Sequence, residues 1–141
     1  HEGYIGHALV GRWVNLGALT TNSDLKNNYT SVRIWTPQGD EDSGLIKVGC
    51  FIGDHVTTGI GTLLNTGAVI GAGSNIFGGL MAPSVVPPFS WGSGEYFEDH
   101  RLEKFLQTAE RVMARRGQKL TSGMEKVLRI AWDKTEKRRR K

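Results

Sequence analysis

The stretch IKVGCFIGDHVTTGIGTLLNTGAVIGAGSNIFGG, residues 46–79, repeats itself every six residues. Stepping from Ile46 gives Ile52, Thr58, Leu64, Ile70 and Ile76, and all but Thr58 are large aliphatics. Gly follows the anchor at Gly53, Gly59 and Gly71, and four residues after the anchors from Ile52 onward stand Val56, Thr62, Ala68 and Ser74. A period of six suits neither the 3.6-residue turn of a helix nor a two-residue strand alternation. It requires short flat strands joined by tight turns, each pass carrying an aliphatic inward. The expectation is an all-β solenoid, in which stacked aliphatics build one continuous apolar column. Gly and Asn recur at its turns because positive φ costs them least. A Gly-rich sandwich would show alternation between irregularly spaced turns and is the poorer fit.

The same pattern appears earlier, at Val10-Gly11 and Leu16-Gly17, with Val14 and Thr20 in the small position. Between them and Ile46 the repeat stops. The polar run from Asn22 to Asn28 and the acidic, turn-rich run from Pro37 to Gly44 predict an insertion leaving the solenoid over residues 22–45.

Beyond the Pro-rich stretch at 81–88 the chain changes character. Residues 1–99 carry four Lys/Arg against nine Asp/Glu, net −5, and residues 100–141 carry fourteen against five, net +9. The expected division is a β-helix part, 1–94, and a helical appendage, 95–141. Leu102, Phe105, Leu106, Ala109, Val112 and Met113 share one helical face, with Gly117 as the stop. A second helix is expected after Thr121, with Ser122 and Glu125 as a capping box and Met124, Val127, Leu128 and Ala131 as its apolar stripe. The terminal run from Lys137 to Lys141 should extend it into solvent.

Composition narrows the function classes. With 141 residues and 38% hydrophobic content the chain can build one modest packed unit. No apolar run approaches the ~20 residues that cross a bilayer, so a cytoplasmic protein without a membrane partner is expected. Cys50 stands alone, which excludes an internal disulfide, and no Cys/His spacing or carboxylate pair predicts a metal site. The basic tail lacks interleaved aromatics and any recognition motif, so no nucleic-acid partner is expected. The chain begins at His1 without an initiator Met and reads as a piece of something longer.

Two runs carry a family resemblance. His1-Glu2-Gly3-Tyr4-Ile5-Gly6, followed by Val10 to Thr21, resembles the acetyltransferase domain of the bacterial bifunctional glucosamine-1-phosphate acetyltransferase / N-acetylglucosamine-1-phosphate uridyltransferase. The hexapeptide tract from Ile52 to Gly79 continues the match. Asn22 to Tyr29 and Pro87-Pro88-Phe89-Ser90-Trp91-Gly92 look most like the sugar nucleotidyltransferase branch of that group. The resemblance covers roughly residues 1–94, and the two C-terminal helices look like that branch's own tail.

The resemblance implies a left-handed parallel β-helix of hexapeptide repeats. It implies a homotrimer binding acetyl-coenzyme A (acetyl-CoA) between neighbouring subunits, with an amino sugar phosphate as the small-molecule acceptor. The family's catalytic His falls on His1, its sugar-phosphate Tyr on Tyr4 and its active-site Asn on Asn15. The Ala whose backbone amide faces the thioester falls on Ala18. In the insertion Asp24 holds the aligned catalytic position, with Asn22 and Asn27 nearby on the substrate side. Gly59, Ile60 and Gly78 would lie along the pantetheine arm.

These residue types suit amide formation from a thioester. An imidazole such as His1 accepts the proton of the attacking amine. A backbone N–H such as that of Ala18 stabilises developing negative charge, and the Tyr4 hydroxyl and Lys26 ammonium suit phosphate oxygens. Asn15 equally suits a turn of the solenoid, and Lys26 equally suits solvent. His7, His55 and His100 are assigned no role. Two functions stay open: an N-acetyltransferase of sugar nucleotide biosynthesis, and a non-catalytic trimerisation or regulatory β-helix of a sugar nucleotidyltransferase. His1, Tyr4 and Asn15 retained together favour the first; the altered insertion, and a family sugar-phosphate grip drawn mostly from coils upstream of its catalytic His, favour the second.

Overall fold

The computed structural model describes residues 2–94 and 96–139. Its strands are mostly two residues long: β1 (Leu9–Val10), β2 (Asn15–Leu16), β3 (Thr21–Asn22), β6 (Phe51–Ile52), β7 (Thr57–Thr58), β8 (Leu63–Leu64), β9 (Val69–Ile70), β10 (Asn75–Ile76) and β11 (Val85–Val86). Longer ones are β4 (Arg33–Thr36), β5 (Gly39–Asp42), β12 (Ser90–Ser93) and β13 (Tyr96–Asp99).

The short strands pair in parallel, in the orders β1-β6-β9-β11, β2-β7-β10-β12 and β3-β8. Partners lie 18 residues apart where the repeat is unbroken, Phe51 with Val69 and Thr57 with Asn75. Three strands of period six thus make one pass. Where Leu9 pairs with Phe51 and Asn15 with Thr57 the step is 42, so an insertion of 24 residues interrupts one pass. Many short parallel strands with few helices suit a β-helix, and among the described residues no sheet closes into a barrel.

Stacking puts Ile52, Ile70 and Val86 in one buried column and Leu64 above Ala82 in another, with Val56, Ala68 and Cys50 completing the core. The small positions Val56, Thr62, Ala68 and Ser74 are all buried. Thr58 replaces an aliphatic at an inward position, and its hydroxyl is satisfied by Thr20 Oγ1 at 2.7 Å and by the Gly17 N–H. Ile46 departs from the expectation. It is 52% exposed, because it lies on the returning limb of the insertion, and the buried part of the column begins at Ile52.

The glycines divide into two classes. Positive φ recurs every six residues at His55, Gly61, Gly67, Gly73 and Gly79, and before the insertion at His7, Trp13 and Leu19. The glycines that follow the anchors have another reason: a Cβ on Gly53 would stand 2.6 Å from Ala72 N in the next pass. Close backbone approach, rather than turn geometry, excludes a side chain there.

β13 pairs antiparallel with β12. Then follow α1 (Leu102–Ala114), α2 (Ser122–Lys134) and α3 (Glu136–Arg139). α1 buries Phe105, Leu106 and Ala109 against Phe89, with Leu128, Ala131 and Trp132 of α2 alongside. Thr121, one residue before the expected cap, accepts from Met124 N–H, and Glu125 instead binds Arg129. The tail also differs. Arg139 is folded back, its side chain 1% exposed, donating to Asp99 and Pro88 O and stacking 4.4 Å over Trp132. Arg138 lies over Trp35 of β4. Among the described residues no helix is long and apolar enough to cross a membrane.

The helical docking surface carries a pH dependence. The His55 and His100 rings stand edge-on to Phe105 at 5.8 and 5.5 Å, and His100 Nδ1 meets Gly73 O. Burial pushes both imidazoles below the ordinary 6.5, opposed by Asp54 at His55 and by the Gly73 carbonyl at His100. The unfolded state then binds more protons, so docking is at full strength above about pH 6.5 and weakens as pH falls below it. Deuterium uptake by α1 and α2 should rise over that descent while β6 and β9 stay protected. Uptake independent of pH would remove the histidines from the account.

Candidate functional site

The site forms at the neck of the insertion. Residues 2–6 lie along β3, with Leu19 N–H donating to Glu2 O and Asn22 N–H to Tyr4 O. The chain leaves the stack after β3 and returns at Val48 and Gly49. Val48 N–H donates to Asp24 O at 2.9 Å and Gly49 N–H to His7 O at 2.8 Å. Leu25 and Lys47 make an antiparallel bridge across the neck, and the β4–β5 hairpin forms its far end.

Tyr4 and Asp24, 20 residues apart, meet here: the Tyr4 hydroxyl donates to Asp24 Oδ2 at 2.8 Å. His7 Nδ1 meets the same oxygen at 2.6 Å. The Tyr4 hydroxyl, then the His7 ring, hold the Asp24 carboxyl below its usual range, with Lys47 adding to the effect. The same carboxylate raises the Tyr4 phenol. Asp24 is thus a carboxylate at neutral pH, and its side chain is 15% exposed against 50% for His7.

Asn22 is buried, and its amide holds the two peptide groups that flank the Gly6 Cα: Oδ1 accepts from Gly6 N–H at 2.7 Å and Nδ2 donates to Gly6 O at 3.0 Å. This residue, expected on the substrate side, holds the backbone ahead of His7. Lys26 donates to Ser31 O and Thr30 Oγ1, so its ammonium is turned into the insertion. Asn27 is exposed. Asn15 is exposed on β2, in register with Thr57. His1 lies outside the described residues.

The residues expected along the pantetheine arm fall on one edge. Ala18 O accepts from Gly61 N–H, and a Cβ on Gly79 would lie 3.4 Å from Ile60 O, so Ala18, Ile60 and Gly78 follow one another over successive passes. Ala18 is small, Gly78 has no side chain, and Ile60 is 70% exposed. The exposed Ile60 side chain makes this edge apolar between two positions of little or no side chain.

His7 is the residue that reading the sequence missed. Its partner Asp24 is 17 positions on, beyond β1, β2 and β3, and the two meet only once the chain has completed that pass.

No protein-family model matches the chain. The chain is 34% identical over 98 residues, 70% of its length, to the bifunctional sugar-1-phosphate nucleotidylyltransferase/acetyltransferase of Sulfurisphaera tokodaii, of which it spans 23%. It is 36% identical over 78 residues, 54% of its length, to the bifunctional protein GlmU of Carboxydothermus hydrogenoformans, of which it spans 15%. It therefore spans less than a quarter of the length of these curated relatives. Over that matched region the chain is a homologue of the bifunctional sugar-1-phosphate nucleotidylyltransferase/acetyltransferases.

Proposed function

We propose that this chain is an acetyl-CoA-dependent N-acetyltransferase domain acting on an amino sugar phosphate or a nucleotide-linked amino sugar in sugar nucleotide biosynthesis. Its architecture in this reading is a left-handed β-helix over residues 1–94 with a helical appendage over 95–141. It works as a homotrimer with sites between subunits. The observation that carries the reading is the Tyr4–Asp24 hydrogen bond, which joins the two sequence segments that bear the resemblance. The common edge of Ala18, Ile60 and Gly78 supports it, as does the likeness to the sugar-1-phosphate nucleotidylyltransferase/acetyltransferase of Sulfurisphaera tokodaii.

When bound, acetyl-CoA supplies the thioester acyl group. Ala18, Gly59, Ile60 and Gly78 would hold it along their common edge. His1 accepts the proton that the acceptor's nitrogen gives up on attack. Tyr4 and Asn27 bind the acceptor, Asn15 and Asp24 orient its amine, and Asn22 keeps the first segment in place. Lys26 reaches a phosphate only by leaving Ser31.

A second reading is an assembly domain of a sugar nucleotidyltransferase. Exposed Leu9, Leu63, Leu80 and Met81 on the strand faces favour it. Calorimetric titration with acetyl-CoA, beside acetylation of glucosamine-1-phosphate by the chain and by His1→Ala, separates the two. The transferase reading expects saturable binding at one site per subunit and a fall in turnover of at least about a hundredfold in His1→Ala. A folded chain that binds no acetyl-CoA leaves the assembly reading.

A further inference from the structure

We infer that His7 is a second catalytic residue of this site, deprotonating the acceptor's ammonium group through Nε2 while Asp24 fixes its ring. The inference rests on the transferase reading and adds a proton acceptor to it.

The geometry is that of an oriented imidazole. The short contact between His7 Nδ1 and Asp24 Oδ2 places the ring proton on Nδ1, because a carboxylate can only accept. That leaves the Nε2 lone pair as the ring's proton acceptor, on a side chain half open to solvent. The pair is built rather than incidental. His7 and Asp24 are pinned through their carbonyls to the adjacent buried residues Gly49 and Val48. Buried Asn22 holds the preceding residue Gly6 by both its N–H and its carbonyl. His7 itself takes the left-handed backbone, φ 50°, that recurs at the turns every six residues. Tyr4 completes the hydrogen bonding of the shared Asp24 oxygen.

The chemistry requires two proton acceptors. Near neutral pH an aliphatic amine is largely its ammonium ion, and that ion carries no lone pair for attack. Forming the amide from R–NH3+ and a thioester makes one N–C bond, breaks one C–S bond and removes two protons from nitrogen. One proton ends on the departing sulfur. The other must reach solvent. His7 Nε2 takes this first proton and, being exposed, passes it to water, while the Asp24 charge draws the ammonium in and stabilises the imidazolium. The remaining N–H proton goes to His1 on attack and from there to sulfur.

His7→Asn is the decisive variant. Asn tolerates the left-handed backbone and keeps a donor for Asp24, but it has no basic nitrogen. At pH values where the acceptor is ammonium, kcat/KM for acetylation of glucosamine-1-phosphate by the full chain should fall at least about a hundredfold. The deficit should shrink as pH rises past the amine's own titration, where free amine is supplied by solvent. The charged and titratable groups around His7, namely Asp24, Tyr4 and Lys47, are retained in this variant, so the recovery reports on the missing base. Independently of turnover, two-bond proton–nitrogen spectra of the unaltered chain should show His7 as the Nδ1–H tautomer, and Asp24→Asn should scramble it. A deficit that is constant with pH, a His7→Asn protein as active as the unaltered chain, or an Nε2–H tautomer overturns the assignment. If the unaltered chain transfers no acetyl group at all, the transferase reading falls and takes this one with it.

Discussion

Gly49→Ala is expected to destabilise the protein by about 3 kcal/mol and to abolish the ordered neck of the insertion. A Cβ at this position meets Gly6 O and His7 O on one side and Asn22 Nδ2 at 2.6 Å on the other. None of the three can step aside. The two carbonyls belong to the backbone laid along β3, and the Asn22 amide is buried with its bonds to Gly6 already made. The new methyl must therefore push the segment carrying Tyr4 and His7 away from Val48 and Gly49, which breaks the Gly49–His7 hydrogen bond and separates His7 from Asp24. Thermal unfolding should show a midpoint lowered by roughly 10 °C, with the His7 tautomer signal lost even below the transition. Gly123→Ala is the control of opposite sign. Gly123 sits near the start of α2 with nothing within 4 Å of the added carbon, so the substitution should stabilise by about 0.5 kcal/mol. A Gly49→Ala midpoint equal to that of the unaltered chain would mean that the neck yields more readily than its hydrogen bonds require.

The contrast between these glycines shows what a linear reading can recover. Anchors at Ile52, Leu64, Ile70 and Ile76 were legible because every pass of the chain imposes the same demand at the same spacing. The structure adds the 18-residue register, because a period of six does not say that three strands make a pass. Ile46 satisfied the spacing and still stands in solvent, because the period cannot say at which residue the chain rejoins the stack. Thr121 took the cap that Ser122 was expected to hold, a shift of one residue decided by backbone dihedrals at the helix entrance. Arg139 reads as one more charge in a basic run. Only the fold brings Asp99, Pro88 and Trp132 around it. The site divides in the same way. Tyr4 and Asp24 were named from a motif, whereas His7 acquires its partner only when β1, β2 and β3 complete a pass, and Asn22 its clamping role only through the placement of residues 2–6 along β3.

Ile70→Ala should cost about 4 kcal/mol, near the top of the range for buried aliphatics. Ile70 lies between Ile52 and Val86 in one column and is buried on every side. Backbone bonds fix the passes above and below: Gly53 N–H donates to Ile70 O at 2.9 Å and Gly71 N–H to Val86 O at 2.8 Å. Neighbouring side chains therefore cannot descend into the vacated space without giving up those bonds, and a cavity that cannot collapse is the costly kind. Val10 occupies the same column at its first position but is 48% exposed, so Val10→Ala should fall within about 1 kcal/mol of the unaltered chain. The loss at Ile70 should also be localised along the stack, since each pass touches only its neighbours. Hydrogen exchange should accelerate most at β9 and β11, and through Phe89 in the docked α1, while β1 and β2 change less. Denaturant titration gives the size of the effect and exchange gives its place. Equal costs at Val10 and Ile70, or uniform acceleration along the chain, would contradict a core assembled pass by pass.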